Sequence, residues 1–303
     1  MVEGPDGPVR VRATTQESGH SRVLARPPAP EPLRTPVVDT HCHLDIQDGD
    51  VGADRLDVEE ALTRAAAVGV TRIVQVGCDL PSARWSVRAA AVHPHLVATV
   101  SLHPNEAPRI LEREGRAALD AAYDEVAQLA AHPRVRGVGE TGLDYFRTGE
   151  DGRGVQEESF RRHIAIAKDL GKALVIHDRD AHEDVIRVLE SEGAPDAVVF
   201  HCFSGDAEMA RYCAGRGWYL SFAGTVTFKN AAALREAVAV APLDRVLVAT
   251  DAPYLPPAPY RGRPNASYLV PLTVRVMAEN AGVDEDVMAQ ALWDNAQRVF
   301  GPW

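Results

Sequence analysis

From Thr35 onward the chain alternates between short apolar runs and longer amphipathic stretches. The short runs are Pro36–Asp39, Thr71–Val76, Leu96–Ser101, Val135–Gly139, Ala173–Ile176, Ala197–Phe200, Trp218–Ser221 and Arg245–Thr250. Each is rich in Val, Ile or aromatic side chains and too short for a helix, so each reads as a strand. Helical periodicity fills stretches between them, as in Val58–Val68, Ala117–Ala131, Phe160–Leu170, Asp184–Glu190, Ala207–Arg216 and Ala231–Val240. Asp180 is placed to start the helix running through Ala181–Glu190, and Gly171 to stop the one ending at Leu170. Strict strand-then-helix alternation predicts a parallel sheet, and eight such units close into a single α/β domain of the (β/α)8 TIM-barrel type. The rival topology, an open doubly wound sheet, normally carries a Gly-rich turn after its first strand. Here that turn is Thr40-His41-Cys42-His43.

Residues 1–34 break the pattern. They are rich in Pro, Arg, Ser and Glu with almost no apolar periodicity, which predicts a disordered or loosely packed tail ahead of a barrel domain over 35–303. Hydrophobic residues make up 46% and charged residues 25% of the 303, the profile of a globular protein with a substantial core. No apolar stretch approaches the ~18–20 residues of a bilayer span. The opening residues lack the continuous apolar segment of a secretory signal, so a cytoplasmic protein with no membrane partner is expected. Cys42, Cys78, Cys202 and Cys213 show no paired spacing and read as reduced thiols. Nothing specifies an obligate protein partner or an oligomer, and a monomer is the expectation.

What ends the strands is polar. Strand one ends in Asp39-Thr40-His41-Cys42-His43, strand three in Leu102-His103-Pro104-Asn105 and strand four in Glu140-Thr141-Gly142-Leu143-Asp144. Strand five ends in His177-Asp178-Arg179-Asp180, strand six in His201-Cys202-Phe203-Ser204-Gly205, and strand eight in Thr250-Asp251-Ala252-Pro253-Tyr254. In a barrel these ends converge on one rim, where active sites are built. A His-x-His pair alone says little, since His93-Pro94-His95 has the same spacing on the opposite rim and reads as a surface turn. Strand alternation turns Asp39, His41 and His43 inward together and Cys42 away, and likewise turns Cys202 away from His201. Any one of these groups is as readily a hydrogen-bonded structural residue. Four imidazoles and two carboxylates in one mouth, however, are costly to bury without a cation. All are nitrogen or oxygen donors, and they exceed what one four-coordinate ion uses. That surplus predicts two metals, bridged by one carboxylate and ~3.5–4 Å apart.

Five stretches then carry a family resemblance: Asp39-Thr40-His41-Cys42-His43-Leu44, Gly137-Val138-Gly139-Glu140-Thr141-Gly142-Leu143-Asp144-Tyr145, His177-Asp178-Arg179-Asp180-Ala181, His201-Cys202-Phe203-Ser204-Gly205 and Thr250-Asp251-Ala252-Pro253-Tyr254-Leu255. Through them the chain, from about Val37 to Phe300, resembles the TatD family of metal-dependent deoxyribonucleases, a branch of the amidohydrolase-like barrels. The resemblance implies that His41, His43 and Asp251 hold one metal, His177 and His201 the other, and Glu140 bridges them. It implies two divalent cations (Mg, Mn or Zn) and hydrolysis of phosphodiester bonds, with single-stranded DNA ends as the nucleic-acid substrate. Some members are linked instead to removing D-amino acids from tRNA. Two departures bear on substrate preference. Asp178 stands where the family more often has Ser, and Ser101-Leu102-His103-Pro104-Asn105 is a variant of its Gly-x-His-Pro-His. The N-terminal tail has no family counterpart.

Two-metal phosphodiester hydrolysis is the leading expectation, with Glu140 and Asp251 catalytic and Asp251 accepting the proton of the attacking water. Net charge is −11, which argues against a broad basic face for duplex nucleic acid but leaves a phosphate at a metal-bearing mouth open. Arg179 and the backbone N–H groups near Ser204 and Gly205, which open a helix, are placed for phosphate oxygens. A salt bridge from Arg179 to Asp178 or Asp180 is the equally weighted alternative. His103 is placed to contact substrate or to cap its own loop, and Asp39 and Asp144 to orient the ligating groups. Hydrolysis of a D-aminoacyl-tRNA ester, or of another small ester or amide, is the alternative. The carboxylated lysine common in amide-cleaving barrels is replaced here by Glu140, with no Lys near it in sequence. A non-catalytic metal-binding protein would be expected to have lost a ligand, and none is missing.

Overall fold

A computed structural model describes residues 10–12, 23–48 and 56–303. Eight parallel strands form one sheet: β1 (Val37–Cys42), β2 (Val70–Gly77), β3 (Leu96–Val100), β4 (Val135–Asp144), β5 (Ala173–Arg179), β6 (Val198–Phe200), β7 (Tyr219–Phe222) and β8 (Val246–Val248). Each coincides with one of the apolar runs, and neighbours in sequence are neighbours in the sheet. The helices are α1 (Val58–Ala66), α2 (Leu80–Val92), α3 (Glu106–Glu114), α4 (Arg116–Ala130), α5 (Glu150–Leu170), α6 (His182–Glu192), α7 (Ala207–Gly215), α8 (Ala232–Val240), α9 (Val270–Ala281) and α10 (Glu285–Phe300). None of the described helices is long and apolar enough to cross a membrane.

The sheet closes through its ends. Asp251 N donates to the His41 carbonyl at 2.9 Å and His43 N to the Ala252 carbonyl at 2.7 Å, extending the ladder past β8. Thr40 Oγ1 adds a bond to the Val248 carbonyl at 2.8 Å. Val38, Val74, Val97, Val175, Val199, Tyr219 and Leu247, from seven strands, pack in one cluster with Phe300 of α10. Side chains from strands on opposite walls meet only in the lumen, so this cluster fills the barrel beneath the polar mouth. A larger apolar layer, with Trp85, Phe160 and Phe222 among its buried residues, lies between strands and helices.

Some helices escape the pattern. In α2 the buried face is mostly Ala and Ser with Trp85, and Pro81 near its start reads as a break although it occupies a first-turn position that tolerates proline. In α3 Ala107 is buried and Ile110 and Leu111 pack partly buried beside it, a stripe too short to stand out among the surrounding charges. α5 starts at Glu150 rather than Phe160, its first turns masked by Gly152, Gly154 and acidic residues. Asp180 does not start α6; it sits at φ 57, and the helix begins at His182 after an Ala181 that makes no side-chain cap. Gly171 does end α5, in the left-handed conformation that glycine adopts without a Cβ penalty.

Of the expected tail, residues 1–9 and 13–22 lie outside the described residues. Residues 23–34 run along the barrel: the Pro27 carbonyl accepts from Tyr268 Oη at 2.7 Å, and the buried Leu33 donates its N–H to Val68. Arg10–Arg12 pairs in parallel with Ile46–Asp48 as a short ribbon. Arg10 lies 3.3 Å from both Asp45 and Asp79, and Arg12 donates to the Pro253 carbonyl with its guanidinium over Tyr254. Tyr254 in turn stands edge-on to His43, which brings the ribbon to the rim of the mouth.

Candidate metal centre

His41, His43, Glu140, His177, His201 and Asp251 meet at the mouth, and simple alternation does not explain how. Register irregularities interrupt β1 between Asp39 and Cys42 and β4 between Gly139 and Thr141. The second, a bulge-like irregularity of the kind that re-aims a side chain, contains Glu140. Gly139, at φ 155, permits it: a Cβ there would fall 2.4 Å from the Val175 carbonyl oxygen. His201 and Cys202 lie in a turn after β6, with Cys202 at φ 46, so alternation does not govern that pair either. Asp39 does not aim with the imidazoles. Its carboxylate accepts from Thr250 N at 2.9 Å, Thr250 Oγ1 at 2.6 Å and His41 N at 3.3 Å, so it holds the closing seam rather than a ligand ring. Burial without a cationic partner pushes its pKa up to about 6.

Glu140 is central. Its Oε1 lies 3.8 Å from His41 Nε2 and 3.7 Å from His43 Nε2, and the same two nitrogens lie 3.7 and 3.4 Å from Asp251 Oδ1. Its Oε2 faces the other way, 2.6 Å from His201 Nε2 and 3.2 Å from His177 Nδ1. Burial opposes its charge, but His201 and His177 hold the carboxyl well below its ordinary range. The His41 and His201 rings stack 3.9 Å apart. Burial and the neighbouring His201 push the His41 pKa well down. Both ring nitrogens of His41, and Nδ1 of His201, are buried without a hydrogen-bond partner. Buried polar atoms are rarely left so. Converging nitrogen and carboxylate donors with orphaned lone pairs fit a divalent cation, and the residues present suit the group.

Behind His177 runs a chain of positioning bonds. Its Nε2 donates to Asp144 Oδ2 at 3.2 Å, and Asn105 Nδ2 donates to the same oxygen at 3.1 Å. Asn105 Oδ1 accepts from Thr148 Oγ1 and Gln156 Nε2, while Gln156 Oε1 accepts from Asp144 N. Burial works against a charged His177, yet Asp144 and Glu140 raise its pKa to about 9. Asp144, expected to orient a ligating group, bonds to His177, one of the expected ligands. Asn105 departs from the family pattern, and its amide bond to Asp144 is visible only in the fold.

The substrate-side candidates separate. His103 Nδ1 accepts from Asn105 N at 3.1 Å, so it caps its loop, and its ring packs edge-on to His177 with centroids 4.5 Å apart. Burial and His177 lower its pKa to about 3, leaving a neutral ring with its proton on Nε2. The Arg179 guanidinium lies over Phe146 at 3.9 Å, while Asp178 pairs with His182 Nδ1 at 2.7 Å. Ser204 is exposed and donates to the Asp178 carbonyl; Gly205 is buried against Phe203 and Met209. The helix that follows carries its own carboxylate: Asp206 accepts from Met209 N. That cap occupies a donor and repels a second anion. Lys172 donates to the Val135 carbonyl at the far end of β4, so no lysine takes the place of Glu140.

A parallel eight-stranded barrel with histidines and acids gathered at its C-terminal rim defines the class of metal-dependent hydrolases. The sequence profile described as TatD related DNase matches residues 38–301, and the chain belongs to the TatD family. A metal-dependent hydrolase of Mycobacterium tuberculosis, TatD, is 48% identical over 270 residues, covering 88% of this chain and 98% of that protein. The 3'-5' ssDNA/RNA exonuclease TatD of Escherichia fergusonii is 32% identical, covering 81% and 93%. The crystal structure of YJJV, a TatD homologue from Escherichia coli, superposes with a TM-score of 0.77 at 29% identity, covering 88% of this chain and 98% of that one. The chain is a metal-dependent hydrolase.

Proposed function

We propose that this enzyme hydrolyses phosphodiester bonds at the ends of single-stranded nucleic acid, using two divalent cations held on either side of Glu140. The observation that carries the reading is the division of Glu140: Oε1 faces His41, His43 and Asp251, and Oε2 faces His177 and His201. When bound, the cations supply Lewis acidity toward a phosphoryl oxygen and toward the attacking water. Asp251, the more exposed of the two carboxylates, accepts the water's proton. His103, whose Nδ1 accepts from Asn105 N, keeps its proton on Nε2 and offers it to a phosphate oxygen. Arg179, steadied on Phe146, supplies charge to the flanking phosphate. The family's DNase description and the relative named as an exonuclease support the substrate class.

The test is hydrolysis of single-stranded DNA labelled at its 3′ or 5′ end by metal-stripped enzyme, with Mg²⁺, Mn²⁺ or Zn²⁺ restored singly and His201→Ala as control. Metal-dependent shortening lost in the variant is expected, and the label that shortens first identifies the end attacked. No cleavage under any metal, with cations still bound, would refute the nuclease reading; an aminoacyl ester assayed alongside would then show whether a carbonyl is the target.

A further inference from the structure

Cys78 directly follows β2, and its thiol enters the mouth. Sγ lies 3.1 Å from Glu140 Oε1 and 3.8 Å from His43 Nδ1. Cys78, His43 and Glu140 offer ligand atoms that all fall within 4.8 Å of one another. The backbone there is fixed: Cys78 N donates to Ser82 Oγ at 2.8 Å, and the Cys78 carbonyl accepts from His103 N at 2.8 Å. Gly77 keeps the turn tight, since a Cβ on it would meet Ala83 Cα at 2.5 Å. Cys42 and Cys213 belong to the apolar layer behind the strands, and Cys202 lies in the turn after β6. A second observation points to a cation at the same place. Neither ring nitrogen of His41 has a partner although its side chain is only 1% exposed, and its Nε2 faces the Glu140 oxygen that Cys78 also faces.

We propose that Cys78 is a sulfur ligand of the first metal, sharing it with His43 and Glu140 Oε1. The assignment rests on reading this mouth as a metal centre. It makes that position selective for thiophilic divalent ions of the zinc and cobalt class over Mg²⁺ and Mn²⁺, because thiolate is a soft donor and the remaining set is borderline or hard. As the metal–sulfur bond forms, the S–H bond breaks and its proton leaves to solvent. The hydrogen bond from Sγ to Oε1 is replaced by a cation common to both atoms.

Cobalt reports this directly. Metal-stripped full-length protein is titrated with Co²⁺ alone, and its near-ultraviolet sulfur-to-cobalt charge-transfer band is read beside the visible ligand-field bands and the cobalt content. Wild type is expected to show the charge-transfer band, Cys202→Ser to keep it, and Cys78→Ser and Cys78→Ala to lose it while still binding cobalt. Preference for Zn²⁺ over Mn²⁺ should fall about tenfold in Cys78→Ser, at the lower end of effects seen for groups around a metal. Ligand-field bands in wild type without charge transfer would overturn the assignment, a result that needs no variant to fold. A charge-transfer band that survives in Cys78→Ser would overturn it equally. Failure of wild type to bind cobalt at all would sink the metal-centre reading and this assignment with it.

Discussion

Asp144→Asn tests the logic of the site at a residue outside both proposed ligand groups. The carboxylate accepts from His177 Nε2 at 3.2 Å and Asn105 Nδ2 at 3.1 Å through Oδ2, and from Arg147 N at 2.9 Å through Oδ1. It thereby keeps a proton on Nε2 and aims Nδ1 at the space shared with Glu140 Oε2, where a bound cation would take the place of the second proton. Asparagine preserves the shape but offers one acceptor in place of two and removes the charge. A hydrogen bond to a charged partner contributes about 1.5–3 kcal/mol and a neutral one about 0.5–1.5. The difference, about 1–1.5 kcal/mol, predicts a roughly tenfold weaker second metal, within the range for groups that orient metal ligands. The first metal should be unaffected, because Asp144 touches none of His41, His43 or Asp251. Calorimetric titration of metal-stripped protein with Zn²⁺, fitted to two sites, reads both affinities. Equal weakening of both sites, or of neither, would refute the reasoning.

Three further outcomes are expected. Thr250→Val deletes the hydroxyl that bonds Asp39 Oδ2 at 2.6 Å and accepts from Ala252 N at 3.1 Å, leaving a buried carboxylate short of a donor. Urea denaturation should show a loss of about 2–3 kcal/mol, and a loss within experimental error would disprove the role of the seam. Gly142→Ala should cost about 3 kcal/mol, read as a lowered Tm, because φ is 133 and the new Cβ would fall 2.2 Å from the His177 carbonyl oxygen. His163 is fully buried, with its pKa lowered by burial from 6.5 to about 4. The unfolded chain therefore takes up this proton first, so its contribution is present above pH 6.5 and lost as pH falls through about 4. Between about pH 7.5 and pH 5 that loss is about 2 kcal/mol, and His163→Gln should show a correspondingly flatter dependence of unfolding free energy on pH.

The barrel strands were legible because buried parallel strands write themselves as apolar runs, and the polar groups of the mouth because they punctuate those runs. Direction was less so. Asp39 and His41 are two apart on one strand, yet one pins Thr250 and the other faces Glu140, because β1 is irregular between them. Glu140 reaches the mouth through an interruption of β4 that no pattern of apolar positions announces. The contacts of Cys78 and Asn105 are hidden for a different reason: each gains its meaning only from a neighbour 62 or 39 positions away. The helix opening after Gly205 looked ready for a phosphate, and Asp206, which caps it, was in plain view as a favoured capping residue. α3 hides because five of its nine residues are charged and its apolar stripe is short.

The closing seam also bears on when the enzyme comes alive during synthesis. Asp39 and Thr250 are 211 positions apart, and the histidines beside the one meet Asp251 beside the other only when the last strand has joined the first. A chain still growing from the ribosome, or cut short before that strand, carries His41 and His43 without Asp251, one of the two carboxylates that face them. The full set of six mouth residues is thus assembled only once the strand leading to Asp251 has been made and has joined the first.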